Sequence, residues 1–215
     1  MKENRESFFA RLQKPPFSDV LTPRDLILIE AMYVLAKYGH RGQFRKAPPG
    51  EEPERYFEHP RAVALILIDE LQLAVALAIM LALGHDCDED SRQVVWEMLD
   101  ALFGDDLARR ARLLSKRGKD KDGYVPLLAE HGDWITLIVK AADRLHNLRT
   151  LPKDDEAFCR KQVRETREKY LPLFRRMIEI TPVGHRHRAR QIHDLIEAIV
   201  VGYEDRFFAE AATGD

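Results

Sequence analysis

Helical spacing patterns the chain almost throughout: apolar residues return every three or four positions, and no segment alternates long enough to predict a strand. "TPRD" opens one helix, with Thr22 as N-cap and Pro23 at the first helical position. Leu26, Ile27, Ile29, Met32, Val34 and Leu35 are expected to face inward before Gly39 ends it. The polar connection "HRGQFRKAPPGEEPERYFEHP" is rich in Pro, Gly and charge and predicts a surface loop. Pro60 suits the first turn of a helix over "RAVALILIDEL", which puts His59 at the helix mouth. Residues 73 to 84, "LAVALAIMLALG", are almost wholly apolar and predict a buried helix. "RQVVWEMLDALFG" and "DDLARRARLLSKRG" predict an amphipathic pair parted at Gly104, followed by a charged, exposed turn, "KRGKDKDG". "DWITLIVKAADRLHNLRTL" is apolar round most of its circumference and is expected to be central. Residues 154 to 180 predict a long charged helix ended by "TPVG". The last helix, from Arg186 to Ala211, carries Ile192, Leu195, Ile196, Ile199, Val200, Tyr203 and Phe207 at helical spacing. The expected fold class is all-α: a helical domain over residues 1–181, then a C-terminal amphipathic helix, 182–215, that packs on the core or builds a homodimer.

Composition narrows this picture. At 215 residues the chain suits one domain of ordinary size. Lys+Arg 34 against Asp+Glu 36 gives a formal net charge of -2, which offers no footing for a nucleic-acid polymer. Cys87 and Cys159 are too few for a disulfide framework and suit a reducing cytoplasm. The N-terminus shows no secretion signal. Residues 62 to 84 hold Asp69, Glu70 and Gln72 in their middle, so two soluble helices are expected there and not a membrane span.

Chemistry concentrates where the buried helix ends, in "GHDCDED". Asp86, Asp88, Glu89 and Asp90 place four carboxylates in five positions, where they repel one another and resist losing water. A bound cation removes both penalties. Taken alone, Asp88 to Asp90 read as caps of the next helix; His85 beside Asp86 turns the pair toward metal. Asp143, in the apolar helix, also needs a partner, and Arg144 or Arg149 could supply a salt bridge. His59, His85, Asp86 and Asp143 thus form a mixed nitrogen and oxygen donor set on three buried elements. Such a set suits Mn²⁺, Fe²⁺ or Zn²⁺ better than Ca²⁺ or Mg²⁺. Glu89 follows His85 by four residues, so on one helix it projects from the same face and could take a proton from water, with Asp90 beside it.

Four ordered segments, "YGHRGQFRK", "YFEHP", "GHDCDED" and "KAADRLHNLRTL", resemble the hydrolase-domain signatures of the RelA/SpoT homologues, HD-domain phosphohydrolases acting on the alarmones (p)ppGpp. The resemblance covers roughly residues 24 to 180 and implies an HD-domain helical bundle. It implies that His59, His85, Asp86 and Asp143 hold one Mn²⁺, and that Glu89 and Asp90 activate and position the attacking water. It further implies that Arg45 packs on the purine with Lys46 beside it, and that Asn147 and Thr150 contact ribose and base. The implied reaction releases pyrophosphate and GDP or GTP from the 3′ position. The loop "APPGEEPER" is longer and more acidic than is usual in the family, which leaves guanine against adenine open. The chain's length suggests a small alarmone hydrolase standing alone. Other readings are a hydrolase of (p)ppApp or of the 2′-phosphate of NADPH, and a helical module that binds alarmone, or neutralises a toxic synthetase, without turnover. Of the remaining histidines, His40 is expected to shape its loop and His146, neighbouring Asp143, to point elsewhere. His185, His187 and His193 are expected to form a solvated basic cluster.

Overall fold

The computed structural model describes residues 3–45, 50, 52–91, 93–94, 96–120, 122–152 and 154–212; the side chains of Asp88, Asp90, Trp96 and residues 208–212 fall outside that description. Among the described residues the chain is all-α, and its one β pairing is an isolated antiparallel bridge between Phe44 and Arg55. The helices are α1 (Arg5–Leu12), α2 (Phe17–Val20), α3 (Pro23–Gly39), α4 (Glu58–Leu65), α5 (Ala76–Gly84), α6 (Cys87–Asp90) and α7 (Trp96–Phe103). They continue with α8 (Asp105–Leu114), α9 (Tyr124–His131), α10 (Trp134–Arg149), α11 (Glu156–Glu165), α12 (Leu171–Ile180) and α13 (Arg186–Ala212). Wider π turns extend α4 through Ile66–Glu70 and join α11 to α12 through Thr166–Tyr170.

Local chemistry sets the helix starts. Thr22 and Asp25 cap α3 reciprocally, the Thr22 N–H donating to Asp25 Oδ2 at 2.9 Å and the Asp25 N–H to Thr22 Oγ1 at 3.2 Å. Asp133 caps α10 by accepting from the N–H and hydroxyl of Thr136 at 2.9 and 2.7 Å. Each cap contributes about 1 kcal/mol. α10 is the hub, packed against α4, α5, α12 and α13, while α5 packs against α3 and α4. Ala78 to Gly84 of α5 are all buried, as are Leu137, Ile138, Val139, Ala141, Ala142, Leu145 and Leu148 of α10. Gly84 lets α5 close on α3: a Cβ there would lie 2.7 Å from Met32 Sδ. A side chain at 84 would therefore press on the Met32 thioether, beside the end of α5 where His85 and Asp86 begin.

The expected helix pattern needs correction in places. Ile27 and Val34 are 67% and 54% exposed, because the buried stripe of α3 runs through Ile29, Met32, Tyr33 and Ala36 and positions 27 and 34 lie opposite it. The apolar run from residue 73 becomes helical only at Ala76, since Gln72 takes a positive φ of 48° and Val75 is extended. The sequence reading also passes over α9, whose Pro126 lies in the first turn, where a missing N–H costs no hydrogen bond.

α13 lies along α10 and α12 and buries Ala189, Ile192, Ile196, Val200 and Phe207. The basic opening of this helix is not one solvated cluster. His185 stacks on Trp134 with centroids 5.1 Å apart, and His193 is buried. Among the described residues no helix is long and apolar enough to cross a membrane.

Candidate metal centre

The ends of α4 and α5 meet the middle of α10. His59 is the second residue of α4, His85 and Asp86 follow the last turn of α5, and Asp143 sits in the third turn of α10. Ligand atoms of His59, His85 and Asp86 lie within 4.8 Å of one another. Asp143 Oδ1 completes the group, 3.2 Å from His59 Nε2 and 3.8 Å from His85 Nε2. Asp86 closes the other side, with Oδ1 3.1 Å from His85 Nε2 and Oδ2 3.5 Å from His59 Nε2. All four side chains named from the sequence thus converge.

The orientation of His85 tests whether a cation fits. Its Nδ1 lies 2.8 Å from the Ala82 carbonyl, which can only accept, so Nδ1 carries a hydrogen. Its Nε2 is buried among carboxylates and makes no hydrogen bond. An imidazole held from behind by a carbonyl, with its far nitrogen aimed at two carboxylates, is oriented as a metal ligand is. The charges agree. Burial opposes ionisation of His85, but Asp86 and Asp143 push the imidazole up to about 9. Burial likewise opposes ionisation of Asp143, but Lys140 and the two imidazoles hold its carboxyl well below the usual range. Asp86 is also lowered, burial being outweighed by His85 and His59. The two carboxylates therefore stay charged and call for positive charge between them.

Three supporting residues escaped the sequence reading. Lys140 Nζ donates to Asp143 Oδ2 at 2.7 Å, so the salt bridge expected from Arg144 or Arg149 comes from neither. Arg144 turns away to Thr166, Gln162 and Glu165, and Arg149 pairs with Glu70. Tyr56, stacked on His40 at 4.7 Å, donates its hydroxyl to Asp86 Oδ2 at 3.0 Å. His146 puts Nδ1 2.9 Å from His59 Nδ1, contrary to the expectation that it points elsewhere. Residues three apart on a helix share a face, which is the signal that could have found both Lys140 and His146 around Asp143.

The remaining predicted residues divide. Arg45 reaches into the centre, with Nη2 donating to Asn147 Oδ1 at 2.9 Å and Nη1 3.4 Å from His146 Nδ1. Asn147 in turn donates to Asp143 Oδ1 at 2.6 Å. Thr150 caps the end of α10, its hydroxyl donating to the His146 carbonyl at 3.0 Å. Glu89 lies in α6 and not on the helix that leads to His85, so the two do not share one continuous helix face; its Oε2 accepts from the Lys116 N–H at 2.8 Å. Lys46 and the side chain of Asp90 lie outside the described residues.

A helical bundle whose buried heart joins a His-Asp pair to a second histidine and a distant aspartate has the architecture of an HD domain. No family model matches the chain. Individual relatives do. The chain is 36% identical over 164 residues to the GTP pyrophosphokinase rsh of Brucella melitensis, a match covering 70% of this chain and 20% of that one. It is 33% identical over 166 residues to the bifunctional (p)ppGpp synthase/hydrolase SpoT of Escherichia coli K12, covering 72% of this chain and 22% of that one. A solved structure, described as a metazoan orthologue of SpoT that hydrolyses ppGpp and plays a role in starvation responses, superposes with a TM-score of 0.54 at 23% identity. That match covers 77% of this chain and 93% of the other. The chain belongs to the RelA/SpoT family, as its HD domain. It spans about a fifth of the length of the Brucella melitensis and Escherichia coli relatives.

Proposed function

We propose that the chain hydrolyses the 3′-pyrophosphate of (p)ppGpp, giving pyrophosphate and GDP or GTP, at a single Mn²⁺ held by His59, His85, Asp86 and Asp143. The observation that carries this reading is the convergence of those four side chains around a buried His85 Nε2 that makes no hydrogen bond. A divalent cation supplies Lewis-acid charge that acidifies water and neutralises phosphoryl oxygens. The chain's own residues do the rest. Lys140 holds the outer oxygen of Asp143 and Tyr56 donates to Asp86 Oδ2, so the carboxylates are aimed before substrate arrives. Arg45, presented by the loop before α4, offers a planar cation for the base or its phosphates, and Asn147 fixes its approach. Glu89, with Asp90, takes the proton of the attacking water. In this proposal residues 1–181 form the phosphohydrolase, 182–215 pack on it, and the protein works in the cytoplasm.

Purified protein with Mn²⁺, with and without chelator, against ppGpp, pppGpp, ppApp and NADPH tests the reading. Chelator-sensitive release of pyrophosphate from the guanine alarmones is expected. Glu89→Gln is expected to slow it on the order of 10²-fold. Phosphate release from NADPH alone would move the substrate. No turnover of any of the four, with alarmone still bound, would leave a binding module.

A further inference from the structure

We infer that His146 is a positioning residue, holding the His59 imidazole in the tautomer that leaves Nε2 free to bind a cation. The inference rests on the metal reading above and adds a residue to it.

His59 faces two directions. Its Nε2 looks at Asp143 Oδ1 and Asp86 Oδ2, 3.2 and 3.5 Å away, and its Nδ1 lies 2.9 Å from His146 Nδ1. A neutral imidazole has one N–H and one lone pair. When Nε2 gives its lone pair to a cation, the hydrogen must sit on Nδ1, and in a buried site that N–H needs an acceptor. His85 meets the same need with the Ala82 carbonyl. His59 meets it with a second imidazole.

The direction of the bond between the two rings follows from the cation. Arg45 Nη1, which only donates, stands 3.4 Å from His146 Nδ1 and 3.5 Å from His59 Nδ1 and so does not choose between them. Once His59 Nε2 gives its lone pair to an ion, His59 Nδ1 carries the hydrogen, and His146 Nδ1, 2.9 Å away, must offer the lone pair with its own hydrogen on Nε2. Arg45 is itself steadied by Asn147, which also holds Asp143 Oδ1. One face of α10, Lys140, Asp143, His146 and Asn147, therefore orients both a carboxylate ligand and an imidazole ligand.

Mn²⁺ titrations followed by the electron paramagnetic resonance of the free ion test this without turnover. His146→Leu removes the acceptor and is expected to weaken Mn²⁺ binding about 10- to 100-fold. His146→Asn places Oδ1 where Nδ1 stood and is expected to bind within about 3-fold of wild type, a difference of less than 1 kcal/mol. Thermal unfolding without metal checks that both variants fold. In the wild-type protein loaded with Zn²⁺, a scalar coupling across the hydrogen bond between the two ¹⁵Nδ1 nuclei is expected, which needs no variant. Wild-type affinity in His146→Leu, equal weakening in His146→Leu and His146→Asn, or no coupling with Zn²⁺ bound would overturn the role of His146. His59→Ala separates that failure from the larger one: Mn²⁺ bound as tightly without His59 would bring down the metal reading, and this inference with it.

Discussion

Asp143 and Arg144 are neighbours on α10, both buried, both charged, and they are treated in opposite ways. The Arg144 guanidinium is closed on every side. Nε donates to Thr166 Oγ1 at 2.8 Å, Nη1 to Gln162 Oε1 at 3.0 Å and Nη2 to the Gln162 carbonyl at 2.7 Å, with Glu165 at 3.2 Å. The Tyr170 ring covers the guanidinium, its centroid 4.5 Å away. Asp143 is held as firmly behind, by Lys140 and Asn147, yet its Oδ1 also faces two imidazole nitrogens, one of which makes no hydrogen bond. A charge kept for structure completes its own shell. A charge kept for chemistry leaves one side open, and here the open side calls for a cation.

The sharpest way to break this division is to exchange the two losses. Asp143→Asn keeps the shape and removes the charge. A cation's several kcal/mol of transition-state stabilisation is then lost, so ppGpp hydrolysis is expected to fall on the order of 10³-fold. Arg144→Leu leaves Glu165 and Gln162 Oε1 without this donor and is expected to cost about 2 kcal/mol in urea unfolding. Its folded fraction should still turn over at close to the wild-type rate. If Arg144→Leu lowers the rate per folded molecule as far as Asp143→Asn, the two faces of α10 are not separate.

Lys140→Met probes the firm side of Asp143. It strands a buried carboxylate, and a loss of about 3 kcal/mol is expected in chelator, with saturating Mn²⁺ recovering part of it. Unchanged stability in chelator would mean that something other than Lys140 balances Asp143.

The contrast also explains what could be read in advance. The start of α3 at Thr22-Pro23 and the break at Gly104 are legible because caps and turns are local chemistry. The meeting of His59, His85, Asp86 and Asp143 is legible because their residue types and order point to one another. Lys140 and His146 are not, because a carboxylate's partner is decided by helix face and ring orientation. The candidates offered, Arg144 and Arg149, stand one and six residues from Asp143, and neither shares its face. Ile27 and Val34 fail for a related reason: α3 is apolar nearly all round, so periodicity does not mark which side is buried.

pH separates the two imidazoles of the centre. His85 stands at about 9 against roughly 6.5 in an unfolded chain. Its contribution to stability is fully present below 6.5 and lost as pH rises through 9. His146, at about 3, works the other way: the unfolded chain gains a proton below roughly 6.5 that the folded one refuses, so stability falls as pH drops toward 3. Asp86 and Asp143, both lowered, steepen that acid limb below about 4. Cation-free protein should therefore be most stable near pH 6.5, losing at most about 1.4 kcal/mol per pH unit for each proton on either side. Urea midpoints across pH 4 to 10 measure this, and Mn²⁺ should flatten the alkaline limb. A midpoint that rises steadily from pH 6.5 to 9 in chelator would contradict the charge assigned to His85.

The smallest effect is expected at Thr150, where family resemblance and geometry pull apart. The resemblance puts Asn147 and Thr150 together on the nucleotide. In this chain Asn147 is tied to both Arg45 and Asp143, inside the centre. Thr150 is exposed, and its hydroxyl donates back to the His146 carbonyl at 3.0 Å, satisfying the open end of α10. A hydroxyl already engaged in this way gains little by turning to a ribose, because the carbonyl it leaves must find water instead. Thr150→Ala is therefore expected to change the KM for ppGpp by less than about 3-fold and stability by about 0.5 kcal/mol, while Asn147→Ala raises KM further. A tenfold rise in Thr150→Ala would show the hydroxyl leaving its own helix for substrate, and would place the nucleotide along the end of α10.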